Sequence, residues 1–424
     1  MREKAKLIVL LLSSLIVGYG LVGGILQKVS AGDEAYGDLS VFTRVIDHVR
    51  RDYVQEPDMQ KALQGALHGM VEGLDPFCSF VDKETYDELS SRDTSGKLGI
   101  YLSKRYGYAY IVAVSEGSPA DQDGLRTGDL IESIDGKSTV LMSVWEAQRR
   151  LAGPLGTDTK LRVIRSRRSE PEEVTVQRRA LAAQRPTAEV VEKDVGYLRL
   201  PSFAKGESEV VASKLKMLLS AGVHGLLIDL RSTADGSLAE ATAMSDFFLA
   251  PGKTIAEIKG QDRENKVTSS TNKPMVSNLP IVVLVDGGTS GPAEIFAAAL
   301  KDNGVAQVVG ERTNGHGSIQ SEFRLQDGSK LFLSTALIIR PDNEPLQSDE
   351  VRKSGIAPDV LSPERDFISN FYFENSGDND AEDLGDDFYN RLDKAVRQEQ
   401  YKAALGQLRE ELSRPSEKIQ GKAA

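Results

Sequence analysis

Two apolar runs, Gly225–Leu230 and Pro280–Asp286, constrain this chain more than any other feature. A strand in a half-exposed sheet alternates apolar and polar residues, whereas a run without that alternation demands cover on both faces. The neighbouring segments can supply the cover. Val195–Leu200 reads as a further strand, Gly206–Ala221 and Ser237–Leu249 as helices, and Pro292–Asp302 as a helix with proline in its first turn. Strands are expected again at Val305–Val309, Glu322–Leu325 and Lys330–Ile339. Alternation of this kind from Asp194 to about Arg340 predicts an α/β layer.

Upstream, the rhythm changes to short strands broken by small-residue turns. Leu98-Gly99-Ile100-Tyr101-Leu102 and Ala109–Val114 are followed by Gly117-Ser118-Pro119-Ala120, Gly124-Leu125 and Thr127-Gly128-Asp129-Leu130-Ile131. A helix is expected at Val144–Leu151, carrying the only tryptophan, Trp145, and strands at Lys160–Arg165 and Glu173–Arg178 close the unit. This string resembles a PDZ domain over residues 95–182. Such a module adds an extended peptide as a strand to an exposed edge and binds its carboxylate with loop amides. Leu98, Gly99, Ile100 and Tyr101 are the candidate peptide-binding loop and strand.

Residues 37–94 show helical spacing (Val41, Val45, Val49; Leu63, Leu67, Met70, Val71) and end at Leu74-Asp75-Pro76-Phe77, predicting a helical cap. Residues 1–31 differ from all the rest. Arg2, Lys4 and Lys6 precede an uncharged stretch from Leu7 to Leu26, and small residues follow to Ala31. This is the layout of an export signal, and it is also long enough for an uncleaved membrane anchor. Either way the basic flank keeps the amino end cytoplasmic and places the body on the periplasmic or extracellular face. Residues 366–424 turn acidic and polar and then helical, which predicts a mobile linker and a charged surface helix.

Bulk properties exclude several classes. At 424 residues with 40% apolar content the chain can bury more than one core. Its net charge of −11 opposes nucleic-acid binding. One cysteine, Cys78, and four dispersed histidines offer no disulfide framework and no metal spacing, so neither metal nor cofactor is expected.

The segments Gly196–Phe203, Gly225–Arg231, Asp286–Asp302, Val309–Gln320 and Gly355–Asp359 resemble successive motifs of the carboxyl-terminal processing (tail-specific) peptidases. The likeness covers roughly residues 38–362 and implies a multidomain α/β and β protein. Its parts would be a signal or anchor (1–31), a helical cap (37–94), an inserted PDZ domain (95–182), a ClpP/crotonase-type α/β core (186–365) and an acidic linker with a terminal helix (366–424). The resemblance also implies serine-type peptidase chemistry by a Ser/Lys dyad, a glutamine orienting the lysine, and assembly through terminal helices as a homodimer.

At the residues implied by that chemistry the chain departs from the pattern. Counted back from Glu294, the nucleophile position holds Gly291, which has no side chain. The lysine position, 25 residues on in Gly315-His316-Gly317, holds His316, while the glutamine is kept as Gln320. In the loop expected to supply the oxyanion hole, Asp235 replaces the first glycine before Gly236, bringing a carboxylate toward a developing negative charge. Two readings follow. In one the chain is a degenerate peptidase that binds protein carboxyl termini through the PDZ groove as a scaffold or regulator. In the other it is an active endopeptidase using Ser290, His316 and Gln320. Ser290 reads more readily as the N-cap of the following helix, with Pro292 just inside its first turn. A binder of small molecules or glycans in the emptied cleft is a third outcome.

Overall fold

In a computed structural model of the chain the described residues are 39–165, 170–261, 263–348, 350, 353–362 and 386–414. They divide into two compact units at Ala66/Leu67. The first holds helix α1 (39–52), whose Leu39, Val41, Phe42 and Val45 are exposed, and the opening turns of α2 (Met59–Glu72). The apolar stretch 7–26 lies outside the described residues, and among those described no helix is long and apolar enough to cross a membrane.

Among its described residues the second unit contains three sheets. After β1 (Ser79–Val81) and α3 (Lys83–Ser90), the strands β2 (Ile100–Arg105), β3 (Tyr108–Val114), β4 (Leu130–Ile134), β5 (Lys137–Ser138), β6 (Asp158–Ile164) and β7 (Glu172–Gln177) form an antiparallel sheet ordered β2-β3-β4-β6-β7, with β5 on β4. Helices α4 (Pro119–Gln122) and α5 (Val144–Leu151) close it. The sequence dictates which faces are covered. In β6, Thr159, Leu161 and Val163 point inward while their neighbours are exposed, as expected for a sheet with one wet face. In β3, from Ala109 to Val114, every residue is buried. The loop after Val285 approaches it closely, and a Cβ built at Gly288 would come 3.1 Å from the Val112 carbonyl oxygen.

The next sheet is the α/β layer. Strands β8 (Thr187–Val191), β9 (Val195–Arg199), β10 (Gly225–Asp229), β13 (Ile281–Val285), β14 (Gln307–Gly310) and β17 (Val360–Leu361) run in the order β17-β14-β13-β10-β9-β8, parallel except for β8. Leu226, Ile228, Val283 and Val285 face one way, joining the core built with α6 (Glu207–Ser220), α7 (Leu238–Ser245) and α8 (Pro292–Asp302). Leu227, Val282 and Leu284 face the other way, onto Ala404, Leu405 and Leu408 of α9 (Asp386–Ser413). Both faces are dry, which is why the strands read as apolar runs. The terminal helix is therefore not the surface helix its charge suggested, since Leu392, Val396, Gln400, Ala404 and Leu408 recur at a spacing of four and are all buried.

The third sheet, β1-β16-β11-β12 with β15 paired to β16, is antiparallel: β11 (Thr254–Gly260), β12 (Arg263–Ser269), β15 (Ser318–Arg324) and β16 (Lys330–Ile339). Its β11 and β12 were not foreseen. The hairpin Thr254–Ser269 carries Glu257, Lys259, Arg263, Glu264 and Lys266, and this polar pattern hides an edge pair.

Candidate active site and peptide groove

In an open α/β sheet the loops leaving the carboxyl ends of the strands converge, and ligands bind there. Here the loops after β10 and β13 meet. Ser232, held at φ +52, donates its backbone N–H to Asp286 Oδ1 at 2.8 Å, and Gly288 N–H donates to the same oxygen at 3.0 Å. Thr289 Oγ1 donates to the Leu230 carbonyl at 2.9 Å, and Ser290 N–H donates to the Thr233 carbonyl at 2.9 Å. Beneath them lies a buried ion pair, Arg231 to Asp229 at 2.6 Å, joined by the Tyr197 hydroxyl at 2.9 Å and anchored to α9 by Arg231 Nη1 on the Arg397 carbonyl at 2.7 Å. Burial opposes the Asp229 charge, but the guanidiniums of Arg231 and Arg199 overcome it and hold the carboxyl well below the usual range.

Helix α8 takes Gly291 as its N-cap, not Ser290. Gly291 sits at φ +57, ψ −115, and a Cβ built on it would meet nothing within 4 Å. Its N–H is capped by Glu294 Oε2 at 2.8 Å. The Glu294 carboxylate is fully buried and also accepts from Thr313 Oγ1, from Gly315 N–H at 2.7 Å and from His316 N–H at 3.0 Å. One side chain thus fixes the backbone at both Gly291 and His316, the positions where the resemblance implies a dyad. Burial pushes this carboxyl up, while the donors around it pull the other way.

Among the described residues no hydrogen bond joins the side chains of the sequence-predicted trio. Ser290 is 4% exposed, and its Oγ accepts from Asn314 Nδ2 at 3.1 Å. The His316 ring makes no hydrogen bond among the described residues; it stacks on Phe77 with centroids 4.0 Å apart at 12°. Phe77 is set there by Asp75, whose Oδ1 accepts from the backbone N–H groups of Phe77 (2.7 Å) and Cys78 (2.9 Å). Burial pushes the His316 imidazole down to about 4, with Asp75 acting weakly in the opposite sense, so the ring is neutral at pH 7. Gln320 lies on β15 with its side chain exposed.

The oxyanion-loop candidates are also placed. Gly236, at φ +126, bridges to Phe203 so closely that a Cβ would fall 2.3 Å from the Phe203 backbone. Asp235 is exposed, and its carbonyl accepts from Phe203 N–H at 2.9 Å. Across from it, burial pushes the Tyr101 phenol up to about 12, with the Asp235 charge adding to the shift.

The peptide-binding candidates separate into two pairs. Leu98 is 2% exposed and belongs to the PDZ core, and its carbonyl accepts from Ala120 N–H at 3.0 Å. Gly99 turns the chain at φ +84, where a Cβ would strike Ser118 at 2.3 Å. Ile100 and Tyr101 are half-buried on β2, which pairs with β3 on one side only and so ends the sheet. Sequence reasoning missed Phe77, Asn314, Asp286 and the Asp229–Arg231 pair. The charged pair was visible as acid and base set into an apolar run, whereas Asn314 and Phe77 gave no signal before the fold joined them to the site.

Among the described residues no group of three or more His, Cys, Asp or Glu side chains could hold a metal ion. The fold thus defines an α/β protein carrying an antiparallel module of PDZ type. A model of peptidase family S41 matches residues 194–362 and a PDZ domain model matches 110–165. The carboxy-terminal-processing protease of Bartonella bacilliformis is 31% identical over 345 residues, covering 79% of this chain and 78% of that protein. The carboxy-terminal processing protease CtpA of Bacillus subtilis is 29% identical over 352 residues, 82% and 73% of the two chains. Among solved structures, the photosystem II D1 C-terminal processing protease shares the fold, with a TM-score of 0.63 at 22% identity over 76% of this chain and 92% of that one. The chain belongs to the carboxyl-terminal processing peptidase family.

Proposed function

We propose that this chain is a catalytically degenerate family member that captures protein carboxyl termini in its PDZ groove and acts as a scaffold or regulator outside the cytoplasm, held by its amino-terminal segment or secreted. The observation that carries the reading is at the nucleophile position: Gly291 has no side chain, and the hydroxyl beside it, on Ser290, is bonded to Asn314 and not to His316. Without a nucleophile and base in contact, general-base activation has no route. Its supports are the neutral, unbonded His316 ring and the exposed Asp235 carboxylate at the oxyanion loop. On the binding side they are the glycine turn at Gly99 and the unpaired edge of β2.

The test is labelling with a serine-directed fluorophosphonate, alongside digestion of an unfolded protein with an apolar carboxyl terminus. No labelling and no cleavage are expected from the purified chain or from its Ser290→Ala and His316→Ala variants. Stoichiometric labelling that disappears in Ser290→Ala would establish the Ser290/His316/Gln320 peptidase instead.

A further inference from the structure

The peptide groove has two walls, β2 and α5, and each is braced from outside the PDZ unit in addition to its own ladder or core contacts. On the β2 side the Lys104 ammonium pairs with the Glu72 carboxylate of α2 and donates to the Val140 carbonyl at 3.0 Å, leaving 10% of its side chain exposed. On the α5 side Trp145 lies between two rings from outside the module. Tyr86 of α3 stacks at 5.2 Å and 14°, and Phe332 of β16 at 5.7 Å and 25°. One turn further along α5, Arg150 bonds Glu146 at 2.8 Å and reaches Glu88 of α3 at 3.9 Å. Between the walls, Ile100 and Val144 pack on the PDZ core yet remain half-buried.

Adding a strand to β2 requires a fixed gap between β2 and α5, because the ligand's backbone bonds one wall while its side chains pack on the other. Those walls are joined through loops, so their separation is not set by hydrogen bonding between them. External anchoring removes that freedom before a ligand arrives, and pre-organisation of this kind raises affinity without adding a contact to the ligand. We infer that Glu72, Tyr86 and Phe332 are positioning residues for peptide capture, holding the two walls of the PDZ groove at binding separation. The inference rests on the reading of the chain as a binder of carboxyl termini. A purely structural role for the same contacts makes a different prediction, a lower melting temperature with unchanged affinity.

The experiment uses the full chain and, as probe, the tightest binder from a random decapeptide library with free carboxyl termini, with affinity read by anisotropy. Tyr86→Ala is expected to weaken binding about tenfold and Glu72→Gln about threefold, with Tyr86→Phe restoring the wild-type value. Since Trp145 is the only tryptophan, its emission reports the α5 wall directly. Saturating peptide should shift it in the wild type, and Tyr86→Ala should start from a shifted position. Glu72→Gln keeps the test open should Tyr86→Ala fail to fold. Equal affinities across the folded variants, with only their melting temperatures changed, overturn the inference. If no library peptide binds the wild type, the binder reading itself fails and this inference goes with it.

Discussion

The Gly291 site and the PDZ groove lie in the same unit and have been finished in opposite ways. Around Gly291 the polar groups are satisfied from within: Asp286 by Ser232 and Gly288, Ser290 by Asn314, and Glu294 by Gly291, Thr313, Gly315 and His316. Along the groove, β2 has no outer partner strand among the described residues, and Ile100 and Val144 remain only half-buried. An active site needs hydrogen-bonding capacity left over for a transition state; here Asp286, Ser290 and Glu294 have already committed theirs to neighbouring loops. An unpaired strand edge is the reverse, an incomplete ladder that a peptide can complete. The contrast is the one expected of the proposed reading, with ligand binding kept in the groove and structure kept at the site.

The sharpest way to break this comparison is Glu294→Ala. If the site is now a structural node, removing the buried acceptor strands several donors at once, and a loss of about 3–5 kcal/mol is expected. Urea denaturation measures it, and a loss below about 1 kcal/mol would show that the node is not structural. Next in size is Gly236→Ala, which combines a φ of +126 with a Cβ 2.3 Å from the Phe203 backbone. Strain and displacement together should cost about 2–4 kcal/mol, read as a fall in the urea midpoint.

How far the sequence revealed this contrast depends on the range of the interactions. The helix Pro292–Asp302 and the strand Lys330–Ile339 were legible to the residue, because proline at N1 and unbroken apolar patterning are local signals. That Gly291 and His316 stand at the nucleophile and base positions is what the family resemblance implies, counted from Glu294. Ser290 was misread as the cap because its competing partner, Asn314, lies 24 residues away and donates to it only once the fold has closed. The terminal helix was misread for a related reason. Its charges dominate its composition, and the buried stripe from Leu392 to Leu408 has meaning only against the sheet face that it covers. The pairing of Phe77 with His316 is likewise tertiary.

A third prediction uses pH. The His316 ring has a folded-state pKa near 4, depressed by burial from an ordinary value of about 6.5. Between those values the unfolded chain binds the proton and the folded chain does not. Neutral His316 therefore contributes stability that is fully present above about pH 6.5 and lost as pH falls toward 4. Wild type should lose about 1–3 kcal/mol from this source between pH 7 and pH 4. His316→Phe, which keeps a ring for Phe77 to stack on, should lose correspondingly less over the same interval. Identical pH profiles would show that the ring is already accessible to protons, and with it the site.

The smallest expected effect is also the most discriminating, because it separates the frame of the site from its chemistry. Gly291 occupies a left-handed conformation, but its Cβ direction is empty to 4 Å, unlike that of Gly236. Gly291→Ser should therefore cost only the backbone term of about 1–2 kcal/mol and leave the fold intact. The double variant Gly291→Ser, His316→Lys then places a hydroxyl and an amine on backbone positions that Glu294 already fixes. With only side chains missing, fluorophosphonate should label the double variant at Gly291→Ser and not at Ser290, and a further Asp235→Gly change should speed labelling by removing a carboxylate from the oxyanion loop. A folded double variant that stays unlabelled even with Asp235→Gly would mean that the frame itself has drifted from catalytic geometry. The closed hydrogen-bond network around Asp286 and Asn314 would then be the cause to pursue.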